Sequence, residues 1–583
     1  MLRDTDLVSI QEVRAKVEHA YAAFQHFRRL PQDKVDSIVE AMAEAARTNA
    51  QRLAEMAVEE TGYGNVKDKL AKNLLCADLL PRTMRGMKTV GVLREDKEKK
   101  LIEVGTPVGV VAAILPTTNP TSTAIYKTLI SLKAGNTVVV SPHPRAKACT
   151  CETVRVVTEA ALRAGAPEGS IHCINNATME GTDALMRHPR TSVILATGGS
   201  GIVKAAYSSG KPAYGVGPGN VPVLLDASAN VAEAVAKVVA GKSFDYGTVC
   251  SSEQTIVAPA SMRDSVMREL VRNRAFLCDS AQGATLAKLL IAPGWRINAN
   301  CVGQAPTKIA QMGGFQIPLE TSILVVEIGG VGKEHPLSME KLSPVLSVLF
   351  VEGWEEQVRA CQAILKFGGL GHTCVIHATD DSRIREYGMR MPAFRVLVNT
   401  PAPQGSTGIT TSVFPAMTLG CGAMAGNATS DNVGPQHLIN VKRIAYVVRT
   451  PEEAFGQPAA SAGAVGESVR RFLEQRGLGG ATSTATVVDR FLASRQSAEK
   501  PVAPSCGCSV SPAPTPVAAA ASPPPAPVPP PQPAVTIVDF VCEADVRTAI
   551  NKGGKIYIGP KTIVTPAARE LANQHNLLVV AQR

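Results

Sequence analysis

The chain has 583 residues, of which 45% are hydrophobic and 4% aromatic, with a formal net charge of +10. This length supports several domains with sizeable cores, and the composition excludes a disordered or fibrous class. Lys and Arg are scattered among Asp and Glu with few aromatics between them. Nucleic acid is therefore not an expected partner, whereas a mildly basic surface suits a phosphate-bearing small molecule.

The first stretch, MLRDTDLVSIQEVRAKVEHAYAAF, is charged and amphipathic and lacks the apolar centre of a signal peptide. No run reaches the roughly 18 apolar residues that a membrane span needs. The 13 cysteines are odd in number and follow no framework spacing. Reduced thiols in a cytoplasmic protein are expected.

Residues 6 to about 87 read as helices, with DKVDSIVEAMAEAARTNAQRLAEMAVEETG carrying apolar residues at helical spacing up to a Thr61-Gly62 stop. Residues 89–104 read as a hairpin with a charged turn. Strands then alternate with helices: VGVVAAILP (108–116), NTVVVSP (136–142), SIHCINN (170–176) and SVILATG (192–198) are the strands. Such alternation implies a parallel α/β sheet, whose ligands bind beyond the carboxyl ends of the strands. Those ends are Pro116, Thr117, Thr118 and Asn119; Ser141 to Pro144, including His143; and Thr197, Gly198, Gly199 and Ser200. A second α/β region spans about 223–425, HLINVKRIAYVV (437–448) is a late strand, and 452–496 looks helical. Residues 501–534 are rich in Pro and Ala and form an extended linker of up to roughly 100 Å. Residues 535–583 regain strand and helix patterns, with Thr565 and Pro566 opening a helix. Some fifty residues make a marginal core, so a tethered docking module is expected there.

The segment KSFDYGTVCSSEQT places Cys250 among small residues at a strand edge. It reads either as a nucleophile or as one more small buried side chain. Asn119 likewise reads as a turn-forming Asn-Pro. Four further segments bear on the choice: ILPTTNPTSTA, ATGGSGIVKAA, YGVGPGNVPVLL and MEKLSPVLSVLF. In this order, with GTVCSSEQ, they resemble the aldehyde dehydrogenase superfamily over roughly residues 5–450. GGLGHTCVIH and TLGCGAMAGNATSDNVGPQHLINVKRIAY resemble its CoA-acylating branch.

The resemblance implies an aldehyde dehydrogenase fold of α/β class: a Rossmann-like cofactor domain (1–222), a catalytic domain (223–425) and a return strand (426–450). With the hairpin, that strand would form a β-arm for a homodimer or homotetramer. A helical extension (451–500), the linker (501–534) and the tail (535–583) follow. It implies oxidation of a short aldehyde (acetaldehyde, propionaldehyde or lactaldehyde) to acyl-CoA. NAD is the implied cofactor with NADP left open, coenzyme A the co-substrate, and no metal is involved. Cys250 would be the nucleophile and Asn119 the oxyanion donor beside the Cys250 N–H. Glu340 would meet the nicotinamide ribose, Thr197 to Ser200 the cofactor phosphates, and Ser141 and His143 the adenosine ribose. Hydrolytic members carry a glutamate where Gly215 and Val216 stand here, just ahead of Gly217, so a thioester would await a thiol rather than water. The sequence departs from the superfamily at Val203, where a second glycine is usual, and at SPHP (141–144). His372 and Cys421 are open between pocket lining and structure, and the Cys506-Cys508 pair is a weak metal signal. The tail, DVRTAINKGGKIYIGPKTIVTPAARELA, resembles terminal segments of bacterial microcompartment proteins, which implies a shell or core partner.

Overall fold

A computed structural model of the chain describes residues 4–456, 467, 471–472, 474–475, 537–565, 568–569, 571–572, 575 and 577–580. The linker, most of the 451–500 extension and the Cys506-Cys508 pair lie outside these residues. The chain divides into two compact units, residues 1–464 and 465–583.

The first unit opens with helices Thr5–Phe27, Gln32–Thr48, Ala50–Thr61 and Val66–Leu74. The long periodic stretch forms two helices, Gln32–Thr48 and Ala50–Thr61. Asn49 leaves helical geometry between them, and Gly62 ends the second in the left-handed region, which glycine adopts without strain. A π turn at Leu75–Leu79, which apolar spacing does not reveal, continues into Leu80–Met84.

Five parallel strands follow, in spatial order Ile171–Cys173, Thr137–Ser141, Val110–Ile114, Thr191–Thr197 and Ala213–Val216. The chain starts at the middle strand, builds one side, then crosses back to build the other. The switch point therefore lies at the carboxyl ends of Val110–Ile114 and Thr191–Thr197, where open α/β sheets bind ligands. Helix Pro120–Lys133, opened by a proline at its first position, is buried on every face, which fixes the residues just ahead of it.

A second sheet has seven parallel strands in the order Ala275–Leu277, Ile323–Glu327, Val345–Val351, Glu253–Pro259, Val221–Leu225, Gly371–His377 and Ala393–Val398. Its fifth strand begins at Val221, which pairs with Glu253, so the second region starts slightly before residue 223. Cys250 lies in the turn leading into the central strand, Glu253–Pro259. The hairpin strands Gly91–Asp96 and Leu101–Pro107 pair antiparallel, and Ile439–Ala445 adds a third strand to them.

The second unit holds three parallel strands, Ile537–Val541, Ile556–Val564 and Leu578–Val580, the longest in the centre. Helix Glu543–Lys552 ends at Gly553 in left-handed geometry, and Val541, Val546, Ala568, Ala572 and Leu577 form a small core. No helix among the described residues is long and apolar enough to cross a membrane.

Candidate active site

Asn119 and Cys250 each issue from the middle strand of their sheet, Asn119 after one and Cys250 before the other. Asn119 is buried ahead of helix Pro120–Lys133. Its Nδ2 donates to Thr118 Oγ1 at 3.0 Å, while its Oδ1 accepts from Lys72 Nζ at 2.5 Å. Lys72 also donates to the Asp245 carboxylate and to Thr248 Oγ1 at 3.4 Å. Thr248 stands two residues before Cys250, so one buried ammonium joins the two strand ends.

Asp245 anchors this junction. Its carboxylate accepts from Lys72, from Lys69 Nζ at 3.1 Å, from the Asn65 N–H at 2.9 Å and from Thr248 Oγ1 at 2.5 Å. Lys69 also donates to the Thr118 carbonyl at 3.0 Å. Burial alone would raise the Asp245 carboxyl, but Lys72 and Lys69 outweigh it and hold it below the usual carboxylate range. Burial pushes Lys72 down to about 8, against the pull of Asp245. Asp245 and Tyr246 both adopt left-handed backbone geometry, with φ of 47° and 52°, and Gly247 follows at 72°. Two such non-glycine residues cost roughly 1–2 kcal/mol each, an expense the contacts to the Asp245 side chain offset. Gly247 has no alternative, because a Cβ there would lie 2.6 Å from the Ser343 carbonyl oxygen.

On the other side of Cys250 the backbone of Gly219 closes in. A Cβ at Gly219 would sit 2.2 Å from the Cys250 carbonyl oxygen and 3.1 Å from His372 Nδ1. The Gly219 N–H donates to Glu340 Oε1 at 3.1 Å. Glu340 is buried rather than a solvated surface carboxylate, and burial pushes it up to about 8. His372 Nδ1 lies 2.9 Å from Thr373 Oγ1, its Nε2 has no partner, and burial drives its pKa well down, so the ring is neutral. Gly217, Cys421, Lys204 and Lys366 line a cleft of about 490 Å³.

Cys250 is half-buried and packs against the core of the first sheet. Burial, then Glu340 and Cys421, push its thiol up to about 12, and Arg395 opposes them. Cys151, by contrast, is held below the usual thiol range by a hydrogen bond with Cys173. In the free protein at pH 7, iodoacetamide is therefore expected to modify Cys151 before Cys250. The Cys250 rate should climb about tenfold per pH unit from 7 to 9, because the thiolate is the reacting form. Peptide mapping by mass spectrometry reads both.

The lack of a side chain at position 215 is built into the packing. A Cβ on Gly215 would lie 2.8 Å from Val203 Cγ1 and 2.9 Å from the Tyr207 ring. Val216 is buried in the hydrophobic core. The departure at Val203 and the glycine at 215 are thus one feature: the valine occupies the space into which a side chain at 215 would start.

The other expected site residues fall into three groups. Thr197 to Ser200 lie at the switch point, with Thr197 Oγ1 at 3.3 Å from Thr418 Oγ1. Helix Ser200–Tyr207 starts without a side-chain cap, and a Cβ on Gly199 would meet nothing, an arrangement that suits a phosphate. Pro116 and Thr118 adjoin Asn119, and Thr117 is half-buried between them. Ser141 and His143 stand at the neighbouring strand end and are already engaged, Ser141 Oγ with Thr182 Oγ1 at 3.0 Å and His143 Nδ1 accepting the Arg145 N–H at 3.1 Å. Among the described residues no group of three or more His, Cys, Asp or Glu side chains is placed to hold a metal.

The aldehyde dehydrogenase family model matches residues 3–277. An acetylating aldehyde dehydrogenase structure from Geobacillus thermoglucosidasius is 51% identical, with a TM-score of 0.76, covering 77% of this chain and 99% of that one. The chain belongs to the aldehyde dehydrogenase family. It is also 41% identical over 444 residues to the bifunctional aldehyde-alcohol dehydrogenase AdhE of Escherichia coli, covering 75% of this chain and 50% of that one. The chain therefore spans about half the length of that bifunctional relative. A propionaldehyde dehydrogenase of the Clostridium phytofermentans fucose utilisation bacterial microcompartment is 28% identical, with a TM-score of 0.69, covering 74% of this chain and 97% of that one.

Lys69, Lys72, Asp245 and Arg395 were not among the sequence candidates. Helix Val66–Leu74 falls in the stretch expected to be helical, and its lysines at 69 and 72 are both buried. The available signal was Asp245 itself, a charged residue between two aromatics, Phe244 and Tyr246, five positions before the cysteine.

Proposed function

We propose that this chain is a CoA-acylating aldehyde dehydrogenase that converts a short aldehyde to its acyl-CoA through a thioester on Cys250. The observation that carries the reading is the Gly215–Val203 packing, which leaves position 215 of the glycine turn with no room for a glutamate side chain.

Cys250, as thiolate, adds to the aldehyde carbonyl, and the carbonyl oxygen takes up the negative charge. The second hydrogen of Asn119 Nδ2 and the Cys250 N–H are the donors suited to that oxygen. A nicotinamide dinucleotide fits the uncapped start of helix Ser200–Tyr207 and the open backbone at Gly199; when bound it supplies the hydride acceptor. Loss of hydride leaves the thioester on Cys250. Coenzyme A, as its thiolate, then attacks the thioester carbonyl, the Cys250–acyl bond breaks, acyl-CoA departs, and Cys250 leaves as the thiolate it was before. Glu340, held on Gly219 beside the cysteine carbonyl, is the residue for the nicotinamide ribose. Ser141 and His143 stand at the strand end suited to the adenosine ribose.

Product analysis with and without CoA tests the reading. Acyl-CoA should appear in step with NADH, and omitting CoA should stop turnover after one equivalent per Cys250. Steady release of free acid without CoA would overturn it. NAD is the favoured cofactor, and acetaldehyde, propionaldehyde and lactaldehyde are the favoured substrates.

The three-stranded arm exposes Val92, Val441 and Ile444, which suits pairing with a second copy of the chain. The tail has its own strands and core, and a module on a long linker tethers an enzyme without altering its site. Its microcompartment-like sequence supports location within a protein shell, where a reactive aldehyde stays confined. A diffuse signal from a fluorescent protein fused to residues 535–583, in cells that form shells, would sink that part.

A further inference from the structure

The Lys72 ammonium has three hydrogens and three acceptors around it: Asn119 Oδ1, the Asp245 carboxylate and Thr248 Oγ1. It is buried, and no water is needed to satisfy it. The contact to Asn119 has a chemical consequence. An amide whose oxygen faces an ammonium cannot flip without turning its NH₂ group onto a cation. With Oδ1 fixed on Lys72, one Nδ2 hydrogen goes to Thr118 Oγ1 and the other is left to donate. Charge on Lys72 also draws electron density toward Oδ1, which makes the remaining N–H a stronger donor. The contacts to Asp245 and Thr248 tie the same ammonium to the loop that carries Cys250. Both halves of the oxyanion site, the amide and the cysteine backbone, are thereby referenced to one group.

We infer that Lys72 is a positioning residue for the addition of Cys250 to the aldehyde: it sets the orientation of the Asn119 amide and polarises it, so that the amide stabilises the oxyanion formed in that attack. The inference rests on the thioester reading above. Lys72 does not meet the substrate; it acts through Asn119, with Asp245 and Thr248 holding it in place.

The assignment makes a specific demand on kinetics. A group that acts only through Asn119 loses its effect once Asn119 is gone, so the losses cannot multiply. Asn119→Ala should lower kcat by roughly 10²–10³-fold, the usual range for one oxyanion donor. Lys72→Met should lower kcat by about 10²-fold while KM for aldehyde and for the nicotinamide cofactor stays within about threefold. The double variant should fall within about threefold of Asn119→Ala alone. Lys72→Arg, which keeps charge and donors, should regain most of the rate, and Lys72→Gln, which keeps a neutral donor, should fall between. Should Lys72→Met not accumulate as folded protein, Lys72→Gln enters the same cycle with Asn119→Ala. Losses that multiply in the double variant, or a raised KM at unchanged kcat, would show that Lys72 supports the fold or the binding site and would overturn the inference. Cys250→Ala separates the two levels. If it still forms acyl-CoA, the thioester reading itself has failed; if it is inactive while the cycle is multiplicative, only the role of Lys72 has.

Discussion

Cys250→Ala is expected to lower aldehyde-dependent NADH formation by at least about 10⁴-fold, because in the proposed mechanism the acyl chain is carried on Cys250. The effect should lie in kcat, and dinucleotide affinity measured by fluorescence titration should be close to that of the parent protein. The substitution removes one sulfur from a half-buried turn whose geometry is held elsewhere, by Asp245 and Thr248 before it and by Gly219 alongside. The melting temperature should therefore change little. Cys421 is the natural challenger, since it is close enough to raise the Cys250 thiol. It is itself buried and pushed up to about 11, and its Sγ donates to the Leu419 carbonyl at 3.4 Å. It is a poor replacement nucleophile. Intact protein incubated with aldehyde and oxidised cofactor, without CoA, should gain one acyl mass, and Cys250→Ala should gain none.

Much of this site could be read along the chain because its parts are local. The strand ends at Asn119 and Thr197–Ser200 follow apolar runs too short and too β-branched to be helices, and alternation with helices sets their sheet. The cysteine was distinguishable only by resemblance, since small neighbours permit a nucleophile without requiring one. The support for the site was not legible, and the reason is sequence separation. Lys72 and Asp245 are 173 positions apart, and Lys72 and Asn119 are 47 apart. Nothing in a helix of the pattern VKDKLAKNL shows that two of its lysines turn inward onto an aspartate from another domain. The pairing of Val203 with Gly215 is hidden in the same way. Each looks like an isolated departure until the two are seen to share one volume.

Asp245→Ala should then be among the most damaging single substitutions in the chain, although Asp245 touches no substrate. Removing the carboxylate leaves Lys69 and Lys72 as two buried ammonium groups that face each other, and Thr248 Oγ1 and the Asn65 N–H lose their acceptor. Deleting one member of a buried pair typically costs about 3–5 kcal/mol, because the remaining charge stays uncompensated. Lys72 can relieve one of the two charges by losing its proton, so the loss should fall within that range, measured as a shift in the denaturant midpoint at unchanged slope. Burial already draws Lys72 down to about 8, and Asp245 is the largest force acting against it. Without Asp245 the Lys72 amine should give up its proton near neutral pH, and with that proton goes the charge that orients Asn119. The backbone adds to the effect. Residue 245 keeps its left-handed geometry because four donors hold its side chain, and alanine offers them nothing while disfavouring that geometry. The turn that carries Cys250 should relax toward ordinary conformations, shifting the cysteine N–H from its place. Asp245→Ala should therefore lose both stability and kcat. Asp245→Asn, which keeps the shape and two acceptor lone pairs but not the charge, should recover part of the stability and less of the rate. The difference between the two variants measures how much of the network serves the fold and how much serves the electrostatics of the oxyanion site.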